Sequence, residues 1–414
     1  MQKLLITLTA LVTLCSVATA QNTAMSPYTR YGYGNLSDNA SAAQRQMGSV
    51  GYAMNSGRQI NVMNPASYAM MDSLTFLFDM GADFTALHSS ENGVTEKDYG
   101  GGLDYITMQV PIMRGLGASV GLLPYGSVGY SFGSDITNGH VSRQGSGSLN
   151  QLYIGVGGSP FRGLGIGLNF AYLFGTITND IYATTDLSYS SLFGRTMKVR
   201  DWRMDIGVQY GFNVNHANRI TLGLVYSPKK NLHGEVYGIY YNDSQSNVVP
   251  DTVNLGDTKM NGRYSTPESW GAGISWNHRN RLFFEVDFTY QPWSKAKFAT
   301  IENFESTTFA DRWRVAAGVQ YTPSLRGNYF RRIHYRLGGY YNRDYLMIRG
   351  NNIKDYSITC GLGLPVPSFK TIVNLGFEFR HRQGYPQALI KENYFNLTLG
   401  INFNEMWFRK SKIY

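Results

Sequence analysis

Over much of this chain, hydrophobic residues alternate one-for-one with polar or small ones. In WRMDIGVQYGFNV, Trp202, Met204, Ile206, Val208, Tyr210 and Phe212 share one parity, and Arg203, Asp205, Gly207, Gln209, Gly211 and Asn213 the other. LFFEVDFTY repeats the pattern, with Leu282, Phe284, Val286, Phe288 and Tyr290 against Glu285, Asp287 and Thr289. Phe395, Leu397, Leu399, Ile401 and Phe403 stand against Asn396, Thr398, Gly400 and Asn402 in the same way. Successive residues of a strand point to opposite faces, so each segment has one large apolar face and one polar face. The pattern predicts strands at 74–90, 103–111, 117–131, 147–158, 164–185, 200–213, 219–237, 264–277, 281–293, 310–322, 333–345, 353–364, 371–383 and 391–404.

A soluble sandwich would also alternate. Two features favour a membrane barrel instead. Charges sit inside the strands on the face opposite a broad aromatic one, as a polar lumen behind a lipid-facing wall requires. The connections also alternate in character. Residues 113–116, 161–163, 214–218 and 277–280 read as tight turns, whereas 91–102, 132–146, 186–199, 238–263 and 294–309 read as longer polar loops. Short turns in the periplasm and long loops outside are the asymmetry of outer-membrane barrels, which in single bacterial chains have an even number of strands. Lipid offers the backbone no hydrogen-bond partner, so the sheet must close on itself. The expected fold is therefore all-β, a transmembrane antiparallel β-barrel of fourteen strands, with Tyr153, Tyr172, Trp202, Tyr226, Trp270, Tyr290 and Trp313 as candidate interface anchors.

Composition agrees with this. The 414 residues include 46 Gly, 30 Tyr and 22 Phe, and only 16% are charged. No later stretch approaches the roughly 20 apolar residues of a membrane helix. MQKLLITLTALVTLCSVATAQN reads as an export signal, with Lys3, the apolar run Leu4 to Leu14, and cleavage after Ala18-Thr19-Ala20. A lipoprotein anchor at Cys15 is the competing reading, against which Thr13-Leu14 stands. Cleavage leaves Cys360 without a disulfide partner. The net charge of +9 comes from dispersed Lys and Arg, largely at turns, and no basic stripe points to nucleic acid. Anionic lipid headgroups are the better match for such a surface.

Residues 21–72 lack alternation yet carry Tyr28, Tyr31, Tyr33, Tyr52, Met54, Val62, Met63 and Tyr68, too many apolar groups for a disordered leader. Ala40 to Met47 could form a short helix. A compact segment preceding a closed barrel fits inside its lumen as a plug. The expected domains are a signal at 1–20, a plug at 21–72, the barrel at 73–404 and a short periplasmic tail at 405–414. In NVMNPASYAMM, Asn64-Pro65-Ala66 stands just before the first strand, where proline fixes its own φ and restricts its predecessor. The third strand carries Pro124-Tyr125-Gly126, which should interrupt its ladder.

This arrangement resembles the FadL-type outer-membrane transporters, which have fourteen strands and an N-terminal hatch with an Asn-Pro-Ala box. The style of SPYTRYGYG and of the NEMWFRKSKIY terminus is similar to Bacteroidota members of that group. The resemblance implies passive passage of hydrophobic or amphipathic, fatty-acid-like molecules. It assigns the hatch motif to Asn64, Pro65 and Ala66, and a lateral opening to Pro124, Tyr125 and Gly126. It equally implies a second function, because some relatives are accessory subunits of protein-secretion or barrel-assembly machines.

Candidate chemistry adds little. Gly129-Tyr130-Ser131-Phe132-Gly133 satisfies G-x-S-x-G, but no helical pattern follows to support a nucleophile. The seven histidines show no metal-binding spacing, and no cofactor is expected. Arg203, Asp205, Glu285, Asp287, Arg312, Arg314, Glu378 and Arg380 share the lumen-facing parity. Charges in a narrow bore must pair, meet water or contact the plug. A structural ion-pair lattice is one reading, and an arginine that meets a ligand carboxylate is the other. Two functions stay open: transport of a hydrophobic small molecule, or a barrel subunit whose partners are other outer-membrane proteins.

Overall fold

In the computed structural model, residues 26–72, 74–185, 190–243, 253–254, 259–300, 304, 306–367 and 370–406 are described. The signal segment, residues 407–414 of the tail and much of 238–263 lie outside them. Fourteen antiparallel strands form one closed sheet. They are β1 (Thr75–Glu91), β2 (Val94–Met113), β3 (Leu116–Ile136), β4 (Gly139–Phe161), β5 (Leu164–Thr185) and β6 (Ser190–Asn213). Then come β7 (Asn218–Ser227, resumed at Gly234–Asp243), β8 (Val253–Asn254, resumed at Ser269–His278), β9 (Leu282–Gln291) and β10 (Thr308–Phe309, resumed at Arg312–Tyr321). The last four are β11 (His334–Ile348), β12 (Asn351–Pro365), β13 (Ile372–Tyr385) and β14 (Lys391–Met406). Closure comes from β1 against β14, from Thr75↔Met406 to Ser90↔Lys391. With its apolar face outward and its first and last strands paired, the molecule is an outer-membrane barrel.

The outward parity is the apolar one. Leu152, Ile154, Ile166, Phe170, Tyr172, Trp202, Leu224, Trp270, Phe284, Ile358 and Phe377 are exposed, as residues facing lipid must be. Tyr226 packs against Trp270 with ring centroids 4.4 Å apart. Tyr153 departs from the expected anchors. It points inward, is 2% exposed, and shares a 2.8 Å hydrogen bond with the Ser119 hydroxyl. In β4 the apolar parity belongs to Leu152, Ile154 and Val156, so Tyr153 falls on the glycine face with Gly155 and Gly157.

The segments expected as loops at 91–102, 132–146 and 190–199 are instead ladder. β1 and β2 remain paired up to Glu91↔Val94, and β3 and β4 up to Ile136↔Gly139. Above the membrane both faces of a strand are wet, so polar residues replace the apolar parity while the backbone goes on pairing. The alternation ends there, but the strands do not.

Candidate functional site: an occluded lumen

The plug runs through the bore from one end to the other. Ser41 and Gln44 form a capping box for the helix α1 (Ala42–Arg45), with Ser41 N–H donating to Gln44 Oε1 at 2.8 Å. Ala42 N–H donates to the Tyr105 hydroxyl at 2.8 Å, and Arg45 pairs with Asp104. Farther on, the backbone turns its amides toward two buried wall carboxylates. Gly51 and Tyr52 donate to Asp287 at 2.7 and 3.0 Å, and Ala53 donates to Glu285 at 2.6 Å. These amides satisfy one oxygen of each buried carboxyl group, which would otherwise stand in the bore without a donor.

Asn64, Pro65 and Ala66 are all buried. Asn64 is the N-cap of a 3-10 helix over Pro65–Met70, and its Oδ1 accepts the Ala66 amide at 3.1 Å. Its Nδ2 donates to the Tyr52 carbonyl at 2.7 Å. Proline at the first helical position loses nothing, because that amide has no partner there anyway. The turn lies on a glycine track of the inner wall. An added Cβ at Gly157, Gly167 or Gly207 would overlap Pro65 or Asn64, and one at Gly223 would overlap the Tyr52 carbonyl. These glycines make room for plug backbone.

At Pro124-Tyr125-Gly126 the β3–β4 ladder skips a residue, passing from Pro124↔Asn150 to Gly126↔Leu149. The β2–β3 ladder ends just before, at Ile106↔Leu122. Above that point β3 takes its partner from the plug. Leu36 and Asn35 pair with Gly126 and Ser127, Ser37 N–H donates to the Tyr125 carbonyl at 3.0 Å, and Ser26 N–H donates to the Gly129 carbonyl at 2.7 Å. Gly129 to Gly133 run as ordinary strand paired with β4, so Ser131 is on no strand-to-helix turn.

The inward charges fall into networks. Asp38 of the plug lies 2.9 Å from Arg312 and 2.8 Å from Arg314. Arg314 also donates to the Gly48 carbonyl at 2.9 Å. Burial pushes the Asp38 carboxyl up, but the Arg314 and Arg312 guanidiniums outweigh it and hold its pKa down at about 2. Arg203 pairs with Asp205 at 2.7 Å, and Arg380 pairs with Asp355. Glu378 accepts from the Tyr340 hydroxyl at 3.0 Å and from Ser357 at 2.7 Å. Sequence reading missed Arg336, which donates to Gln46 at 2.8 Å, and Arg382, which pairs with Asp344. Arg382 shares the parity of Glu378 and Arg380, and that was the available signal. Asp38 lies in irregular chain and offered none.

A cavity of about 100 Å³ lies between plug and wall, bordered by Asp38, Tyr52, Tyr125, Arg203, Arg312 and Arg314. At the extracellular end an aromatic roof covers the bore. Trp293 lies 4.5 Å from Tyr345 and 5.9 Å from Tyr33 between ring centroids, and all three are essentially buried.

The BamG family matches residues 1–414. The chain belongs to the BamG family. Among solved structures, this BamG-family barrel is similar to the CymD monoaromatic hydrocarbon channel, at 14% identity and TM-score 0.58 over 92% of this chain and 100% of that one. It is similar to the Ralstonia pickettii toluene transporter TbuX, at 13% identity and TM-score 0.58 over 88% and 98% of the two chains. It is also similar to a Pseudomonas aeruginosa FadL homologue, at 11% identity and TM-score 0.61 over 89% and 99%. At such identities the likeness establishes the shared barrel fold. No curated protein matches the BamG-family chain by sequence.

Proposed function

We propose that this protein is a non-transporting barrel subunit of an outer-membrane protein-assembly or secretion complex, acting through protein contacts. The observation that supports this reading is the state of the bore. A pocket that takes even a benzene-sized ligand is apolar and about 150 Å³ in volume. The cavity beside this plug is about 100 Å³ and is edged by three arginines and Asp38. Widening it means separating buried ion pairs, which costs roughly 3–5 kcal/mol each when one partner is lost. Membership of the BamG family supports the accessory-subunit side of the sequence resemblance.

Purification in mild detergent tests the proposal. A stoichiometric complex with other outer-membrane proteins, unchanged when the plug is cross-linked to the wall, is the expected result. A monomer whose plug cross-link abolishes uptake of an apolar compound would overturn it.

A second reading is favoured by one feature, the end of the β2–β3 ladder beside Pro124. A hydrophobic molecule could leave sideways there into the bilayer, avoiding the cost of exposing apolar surface to water. The hydrocarbon channels of similar fold support that alternative. It requires residues 26–37 to leave the β3 edge, so restraining them would block transport but not complex formation.

A further inference from the structure

The outward surface carries a feature that neither reading uses. Arg343 of β11 stands directly opposite Lys354 of β12, and Lys354 opposite Gln383 of β13. Continuing the register beyond Arg382↔Glu392 sets Lys391 of β14 beside Gln383. These positions share the outward parity of Tyr341, Tyr356, Phe379 and Phe395, all at least 36% exposed. We propose that this row binds the phosphate of a phosphorylated lipid in the outer leaflet, with Arg343 and Lys354 as the primary contacts and Lys391 as a flanking one.

The height of the row fits. Counting up β12 from Pro365, about eleven residues at roughly 3.3 Å each, tilted about 45°, rise about 26 Å to Lys354. That is the height of the apolar band of such barrels. The outward residues of β12 change accordingly, from Leu362, Cys360 and Ile358 through Tyr356 to Lys354. Tyr356 lies 5.2 Å from His381 and Trp313 lies 5.2 Å from Tyr341 between ring centroids, an aromatic girdle level with the cations at Trp313 and just below them elsewhere.

The charge arrangement needs an anion. Like charges directly opposite across a ladder repel. Among the described residues no carboxylate pairs with Arg343, Lys354 or Lys391. The nearest acids in register face the lumen, where Asp355 pairs with Arg380 and Glu392 accepts from Ser26 and Tyr394. Arg343 donates through Nη2 to Asn352 at 2.8 Å. Lys354 Nζ lies 3.8 Å from the centre of the Tyr385 ring, which leaves donors free on its other side. Two cations a strand spacing apart, with the aromatics beneath, match a phosphate whose acyl chains descend along the barrel wall.

The test compares phosphorylated glycolipid retained by protein purified from a Gram-negative outer membrane in mild detergent, counted by native mass spectrometry. The R343Q/K354Q double variant should retain at least about tenfold less than the parent, since it loses two charge-assisted contacts and even one is worth roughly that much. The R326Q/R331Q variant removes equal charge at the exposed 322–333 turn and should retain the parental amount. A shift in gel mobility between unboiled and boiled protein verifies a folded barrel. Should the double variant not fold, K354Q alone must lose most of the rise in melting temperature that added glycolipid gives the parent. Equal retention in all variants, equal loss in both doubles, or displacement of the lipid by millimolar inorganic phosphate would each overturn the proposal.

Discussion

The carboxylate of Asp38, on the plug, lies 2.8 Å from the guanidinium of Arg314, on the barrel wall. Arg314 is 4% exposed, so its charge depends on this partner. Asp38→Asn should leave two buried arginines under-compensated and weaken plug seating by roughly 3–5 kcal/mol. Hydrogen exchange checks this directly: amides of residues 38–53 should exchange faster in the variant, while those of the β1–β14 ladder stay as protected as before.

Acid should act through the same carboxylate. Its folded pKa of about 2 is below the roughly 3.9 of a free aspartate. Its contribution is therefore fully present above pH about 4 and fades as pH falls toward 2. Cleavage of the plug by an acid-active protease should rise across that window and not between pH 5 and 7. The Asp38→Asn variant should show no such rise.

Gly207→Ala places a methyl group against Asn64 Oδ1. Overpacking of this kind costs about 1–3 kcal/mol. The temperature at which the barrel loses its compact form in detergent should fall. Ile206→Ala, one residue away on the exposed face, serves as the comparison and should change it far less.

Asn64→Ala removes an N-cap, a loss of about 1 kcal/mol. It also removes the Nδ2 donor to the Tyr52 carbonyl, which keeps Gln209 Nε2 as a second donor at 3.0 Å, so this loss adds only about 1 kcal/mol. Melting measured beside Ser56→Ala, a change at the half-buried 55–59 turn, should separate the two by at least the cap contribution.

Deleting residues 26–72 should turn an insulating barrel into a conducting one. Planar-bilayer recordings of the parent should show no steady open level, and those of the deletion a persistent one. A conducting parent would contradict the closure described for the lumen.

Much of the wall could be read before the structure, because lipid on one side and a polar bore on the other impose opposite demands on adjacent residues. Where that contrast is strongest, in β9 and β14, the predicted and observed strands agree closely. Above the membrane the contrast vanishes, which is why Thr95 to Gly101 read as loop although they pair with β1. Proline cannot donate to a ladder, so the bulge at Pro124 was visible. The partners of the plug were not. Asp38 and Arg314 are far apart in the chain and no periodic pattern links them, and the glycine track acquires its meaning only once Pro65 lies on it.

The plug's contacts also constrain the order of assembly. Its amides reach β9, its helix faces β13 and β14, its first residues complete the edge of β3, and aromatic rings close over it. A segment so enclosed cannot thread into a finished cylinder. Biogenesis must therefore hold the sheet ajar until the amino-terminal stretch is in place.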